Sequence, residues 1–282
     1  LIKSALEQNQ FSQKSLSHMD RCLTCRSCET TCPSGVEYGQ LLEIGREMME
    51  PKRGKLQSLY RYIVRKTLST PLLFKPAGYF LRHSKISSKA IKPKAINSSV
   101  LLMGGCVQPS LAPNINHSIK NILAKLNIEV LESSQSECCG ALDQHLAASS
   151  DAMKKVKRNI DNWISKLDSG VEVIISSASG CGVMIKDYPN LFDSSDPYYK
   201  KALQVSSRTK DIAEFLVNQD LSSLKLKELN IAYHEPCTMQ HGQKLGGLVE
   251  SILSEFGYIK KQIKDSHICC GSAGTYSVFE TK

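Results

Sequence analysis

Eleven cysteines dominate the chemistry open to this 282-residue chain, at positions 22, 25, 28 and 32, then 106, 138, 139, 181, 237, 269 and 270. The count is odd, the chain is long, and no export signal is visible, so a disulfide framework is a poor reading. Reduced thiolates that bind metal fit better. The first four lie in one run, Cys22-Leu-Thr-Cys25-Arg-Ser-Cys28-Glu-Thr-Thr-Cys32-Pro33. Spacings of three bring successive sulfurs onto one concave turn, and Pro33 keeps the chain from folding back over the last ligand. A zinc site needs four ligands, but it gives no reason for a third cysteine so soon after the second or for a terminal Cys-Pro.

CxxCxxCxxxCP is the run of bacterial-type ferredoxins, in which three thiolates hold one [4Fe-4S] cube and the fourth ligates a second cube. Cys22, Cys25 and Cys28 are therefore expected on one cluster and Cys32 on another. The remaining ligands of each cube require a second run. None follows, so it is expected before Leu1.

The other seven cysteines form a repeat. Cys106, Cys138, Cys139 and Gly140 recur 131 residues later as Cys237, Cys269, Cys270 and Gly271, with 32 residues from lone cysteine to pair each time. Adjacent thiols strain a mutual disulfide, but adjacent thiolates can bind neighbouring irons of one cluster. Gly140 and Gly271 are read as letting the backbone pass close to a cofactor. Cys181, in Ser179-Gly180-Cys181-Gly182, gives the first copy a fourth sulfur. The competing reading, buried structural thiols, needs no matched spacing. Adding the repeat to Cys181 gives position 312, so the full-length protein is expected to carry a further cysteine there. An opening without Met and an end without a terminator also read as a fragment.

Elements must position these sulfurs. Apolar strand-like runs end before each lone cysteine, at Val100 to Met103 and Ile231 to Tyr233. A helix and a second strand follow in both copies: Ile119 to Leu126 then Ile128 to Leu131, and Leu245 to Phe256 then Tyr258 to Ile263. Strands alternating with helices indicate α/β architecture with parallel pairing. A buried run at Val171 to Ile175 places Cys181 in a loop at the sheet's carboxyl end. Met153, Val156, Ile160, Trp163, Ile164 and Leu167 form a helical core stripe. His234 is a candidate to bond a cluster sulfur, against a plain structural role. Arg21 and Arg26 would offset cluster charge, against simple solvation.

Charge is regional. Residues 51–128 hold 14 Lys and Arg and no Asp or Glu, whereas the other residues carry 22 basic against all 27 acidic side chains. Twelve of the fourteen lie between Lys52 and Lys94, interleaved with Tyr and Phe. Such a segment suits anionic lipid, an acidic partner or nucleic acid, or is simply a solvated helical face. Neither a GxGxxG after a strand nor a GxxxxGK[ST] loop occurs, so hydride chemistry must be done elsewhere.

The stretches Asp20 to Val36, Gly104-Gly105-Cys106-Val107-Gln108-Pro109 and Cys269-Cys270-Gly271-Ser272-Ala273-Gly274 resemble the iron–sulfur subunits of bacterial glycolate oxidase (glycolate dehydrogenase). The resemblance covers residues 1–50 and about 100–282, with little from 51 to 95. The wider family has cysteine-rich CCG domains and includes a heterodisulfide reductase subunit, an anaerobic glycerol-3-phosphate dehydrogenase subunit and a lactate-utilisation protein. The resemblance implies flavin-containing partner subunits that oxidise glycolate to glyoxylate, and two ferredoxin-type [4Fe-4S] clusters that carry electrons toward membrane quinone. It also implies peripheral association with the cytoplasmic face of the inner membrane, or a cytoplasmic location, and no nucleic acid. In heterodisulfide reductase the module ends in CxxC and supplies five ligands; here Ala178 stands where that extra cysteine would be. The CCG modules are then expected to hold an altered additional cluster or none.

The expected architecture is α/β: a partial ferredoxin-like helical [4Fe-4S] lobe over 1–50, a basic helical connector over 51–98, and CCG modules over 99–200 and 201–282, the second truncated. The expected function is electron transfer within a glycolate dehydrogenase, with a related lactate, glycerol-3-phosphate or heterodisulfide-reductase-like subunit as the alternative. A basic nucleic-acid protein stapled by a cluster would instead show tight, salt-sensitive binding.

Overall fold

Helical periodicity in the first fifty residues yields two packed helices with the cysteine run between them. In the computed structural model, which describes residues 12–82, 88–132, 138–224, 229–272 and 274–280 together with Lys3, Glu7 and Ile86, α1 spans Gln13–Asp20 and α3 spans Tyr38–Met49. Leu16 and Met19 of α1 meet Leu42 and Met49 of α3 in a small core. The short α2 (Ser27–Thr31) lies within the run itself. Two longer helices follow, α4 (Lys55–Ser69) and α5 (Pro71–Phe80), divided at Thr70. The connector's helix stops there: the described residues from Leu81 to Asn97 form neither helix nor strand, in a stretch rich in Lys and Ser with Pro93.

Strands β1 (Ser98–Leu102), β2 (Ile128–Glu132), β3 (Val173–Ser176) and β4 (Thr209–Asp211) form one parallel sheet in the order β2-β1-β3-β4. Val100 lies opposite Val130 on one side and Val173 on the other, so the apolar runs share one register. Alternation divides them between two faces. Leu101, Met103 and Ile174 join Val156, Ile160 and Trp163 in one core, whereas Val100, Leu102, Val173 and Ile175 join Ile119 and Leu123 in the other. Helices therefore cover both faces, as a parallel sheet requires.

Between β1 and β2 run α6 (Gln108–Leu111) and α7 (Pro113–Lys125); between β2 and β3, α8 (Ala141–His145) and α9 (Ser149–Asp168). The expected stripe on α9 is observed, with Val156, Ile160 and Trp163 fully buried and Met153, Ile164 and Leu167 packed beside them. Between β3 and β4 lie α10 (Ser179–Lys186) and α11 (Pro197–Ser207), the latter started by Pro197 and capped by Asp196. α12 (Ile212–Leu216) follows β4 at once, its end fixed by a capping box of Asp211 and Glu214.

The second half is slighter. β5 (Asn230–Ile231) and β6 (Ile259–Lys260) form a parallel pair of two residues each, shorter than the apolar runs promised. Among the described residues each has only the other as a partner, and a two-stranded ladder is marginal. A π-helical turn at Thr238–Gly242 and α13 (Leu248–Glu255) lie between them, and α14 (Tyr276–Phe279) comes last.

Candidate iron–sulfur sites

The run from Cys22 to Cys32 winds by means of strained residues. Thr24 and Arg26 adopt φ of 54° and 60°, left-handed values that side-chain-bearing residues hold only when their surroundings enforce them. Arg46 of α3 provides that enforcement: buried, it donates from Nη2 to Met19 O at 2.8 Å and to Cys22 O at 2.9 Å. Glu29 closes the other end, accepting from the Gly39 amide at 2.7 Å. Burial, then the charges of Glu29, Cys22 and Cys25, push the Cys28 thiol up. Cys32 sits differently. The amides of Val36 and Ser34, assisted by the Tyr38 hydroxyl, hold it below the usual thiol range, and the Tyr38 phenol is raised in return.

Cys106, Cys138, Cys139 and Cys181 all leave the carboxyl ends of neighbouring strands. Cys106 follows β1, Cys138 and Cys139 follow β2, and Cys181 stands in the first turn of α10 after β3. Strand order reverses about β1, the place where open parallel sheets form their ligand crevices. Hydrogen bonds link the sulfurs in a chain: Cys106 and Cys139 to Cys138, and Cys139 to Cys181 at 3.3 Å. Hydrogen bonding with Cys106, then with Cys139, draws the Cys138 thiol down despite burial, with the Lys155 charge helping; the Cys106 and Cys139 thiols rise correspondingly.

The vicinal pair is locked from beneath. Asn159 Nδ2 donates to Cys138 O at 3.0 Å and to the Tyr188 hydroxyl at 3.1 Å, and that hydroxyl donates to Cys139 O at 2.8 Å. Gly140 has φ of 90°, and the atom nearest to a Cβ added there would be Ala152 O of α9. Its glycine thus answers a backbone and packing need against a helix. Asp143, three residues on and wholly buried, meets Arg65 of α4 at 2.6 Å and also Lys155.

Further along the chain Cys237 immediately precedes the π-helical turn, and Cys269 lies within its hydrogen-bonding reach. Burial, then that bond, raises the Cys237 thiol to about 12, with Cys25 of the first lobe and Cys270 also in electrostatic range. His234 Nε2 bonds Ser266 O at 3.0 Å, tying the loops of Cys237 and Cys269 together, which is the structural role. Gly271 has φ of 75°. Ala273 of the quoted motif lies outside the described residues.

The three groups of cysteines belong to adjoining surfaces. Arg26 Nη2 meets Asp187 at 2.5 Å, at the end of α10, and Thr30 Oγ1 lies 2.8 Å from His241 Nδ1 on the π-helical turn. Ser179 and Thr238 hydroxyls, 2.7 Å apart, join α10 to the same turn. Arg26 is thus matched to Asp187 and Glu29, and Arg21 to Glu280, so neither is an uncommitted counter-charge or a merely solvated side chain.

Among the described residues no three or more His, Cys, Asp or Glu side chains are arranged to hold a metal ion. The donor set suits a cluster: thiols alone, on strained or strand-end loops, with backbone and side-chain donors aimed at sulfur. Sequence reasoning missed Tyr38, Arg46, Lys155, Asn159 and Tyr188. Asn159 alone left a signal, an amide on the buried face of an otherwise apolar stripe.

Comparison with known proteins agrees with this chemistry. The cysteine-rich domain family (CCG) matches residues 100–186 and 231–282. The glycolate oxidase iron–sulfur subunit of Escherichia coli K12 is 39% identical over 99% of this chain and 73% of its own length. A probable glycolate oxidase iron–sulfur subunit of Bacillus subtilis is 24% identical over 98% of this chain and 71% of that protein. Lactate utilization protein A of Bacillus velezensis is 26% identical over 64% of this chain and 74% of that protein. No solved structure matches.

Proposed function

The chain belongs to the family of glycolate oxidase iron–sulfur subunits, and we propose that it is the electron-transfer subunit of a glycolate-oxidising complex, receiving electrons from flavin-containing partners and passing them toward quinone at the membrane. The observation that carries this reading is the abutment of the Cys22–Cys32 loop on both cysteine-bearing modules through Arg26–Asp187 and Thr30–His241. Electron carriers must be neighbours, and here one loop touches both cysteine-bearing segments.

Cys22, Cys25 and Cys28 would hold one [4Fe-4S] cluster and Cys32 would contribute to a second. Cys106, Cys138, Cys139 and Cys181 would hold a further cluster in the first module, and Cys237, Cys269 and Cys270 would serve the second. When bound, such clusters supply reversible one-electron storage at potentials set by hydrogen bonding and burial. The protein's part is to fix those settings. Arg46 and Glu29 hold the loop, the amides of Val36 and Ser34 with Tyr38 bias Cys32 toward thiolate, and Asn159 with Tyr188 fixes the carbonyls of the vicinal pair.

The test is to produce the full-length protein with its partners, measure iron and acid-labile sulfide, and assay glycolate and lactate with a quinone-like acceptor. Electron paramagnetic resonance of Cys25→Ser and Cys32→Ser should show two different signals damaged. Loss of the same signal in both would refute the ligand assignment, and glycolate oxidation that persists without iron would refute the electron-transfer role.

A further inference from the structure

Helix α4 is built inside out, and α5 beside it leaves most of its apolar side chains outside. On α4 the buried side chains are Arg61, Arg65 and Ser69, whereas Leu56, Leu59, Tyr60 and Ile63 face outward, Tyr60 with one edge against the Phe279 ring of α14. At 100° per residue those four outward residues form one stripe, opposite the arginines. α5 differs in what it buries, the apolar Phe74 with Gly78, but it too leaves Leu72, Leu73, Tyr79 and Phe80 exposed. Leu56 and Phe80 are each 86% exposed. A helix ordinarily turns its apolar stripe to the core, so a pair that leaves such side chains outside has them reserved for something else.

The inward face explains why the arginines are spent there. Arg53 and Arg61 meet Asp20 and Glu50, and Arg65 meets Asp143 and Asp151. The basicity of the segment is therefore divided. One share is internal glue, and the other, which includes exposed Lys55, Lys75, Lys89, Lys92 and Lys94, remains at the surface with no acidic residue anywhere from 51 to 128.

We propose that the outward face of α4 and α5 is the element by which this protein lies on an anionic lipid bilayer, the apolar stripe entering the acyl boundary and the lysines meeting lipid phosphates. A bilayer surface offers apolar depth and negative charge together, which is the combination this face complements, and Tyr and Phe suit that depth. No helix among the described residues is long and apolar enough to cross a membrane, so the contact is interfacial. The inference deepens the membrane placement in the function proposed above by naming the contacting surface, and it rests on lipid binding alone.

The test is flotation of the full-length, cluster-loaded protein with vesicles of phosphatidylglycerol and phosphatidylcholine. Binding should fall on the order of tenfold on phosphatidylcholine alone, and salt should weaken it without abolishing it, because the apolar share is not screened. Leu56→Glu with Phe80→Glu should lose on the order of tenfold in binding while keeping wild-type iron content and thermal unfolding. In a Tyr79→Trp protein, emission should shift to the blue on adding the anionic vesicles. A wild-type protein that never floats, or a double variant that floats like wild type, overturns the proposal. Normal flotation with loss of partner subunits in the double variant overturns it too, by showing a protein interface instead. Since iron content and paramagnetic signals are read separately, the lipid proposal can fail while the electron-transfer role stands.

Discussion

Single side chains around the sulfurs set two measurable quantities. The Tyr38 hydroxyl donates to the Cys32 sulfur, and such a bond favours the more negative, reduced state of whatever the sulfur binds. Tyr38→Phe should therefore lower the potential of the Cys32-linked cluster by on the order of tens of millivolts, read by redox titration of the full-length protein. An unchanged or higher potential would contradict the role given to that phenol. Asn159 governs stability rather than potential. Asn159→Ala strips a donor from Cys138 O inside the core, and an orphaned buried acceptor costs about 1–3 kcal/mol, measurable by denaturant unfolding. At this scale the sequence showed donors and hid supporters. Cys22 to Cys32 and the spacing of 32 stood out because thiols are rare and their intervals regular. Tyr38, Lys155 and Tyr188 acquire meaning only through contacts in the folded chain, which no local spacing encodes.

Elements were legible where one face is apolar and obscure where it is not. β1, β3 and α9 follow their apolar runs within two or three residues, since a parallel sheet with both faces covered needs unbroken Val, Leu and Ile. α4 has an equally clear stripe, yet the side it buries is the cationic one, because Asp20, Asp143 and Asp151 lie beneath it. This gives the element an acid sensitivity. Lys66 and Arg65 hold the Asp151 carboxyl down to about 2, below its ordinary 3.8. A carboxyl depressed in the folded state adds stability that is complete above its ordinary value and fades as pH falls from there toward about 2. Asp151→Asn should accordingly flatten the loss of stability between about pH 4 and pH 2 by part of one proton's worth, seen in unfolding curves across that range. Asp143→Ala should be harsher near neutral pH, about 3–5 kcal/mol, because it leaves Arg65 and Lys155 facing a buried site without their shared carboxylate. If the two variants proved equally mild, α4 would not be held by these pairs.

Across the whole molecule, the partners that hold α4 are distant in the chain. Arg65 is 78 residues before Asp143 and 86 before Asp151, whereas Asp20 has already been made when α4 appears. On the ribosome, at about 5–20 residues per second, the helix therefore waits roughly 5–15 s for its second set of carboxylates. During that interval Arg61 can already meet Asp20 and Glu50, but Arg65 lacks its carboxylates and Leu, Tyr and Ile stand bare on the other side. Chains stalled with residues up to about 130 exposed should be cut within α4 by a limiting protease, and chains stalled past about 190 should resist; equal protection at both lengths would mean that the helix docks without Asp143 and Asp151. The inverted helix is thus also a clock in synthesis: for several seconds the nascent chain displays an adhesive surface, and whichever reaches it first, a chaperone, a neighbouring chain or a bilayer, decides where the newborn protein goes.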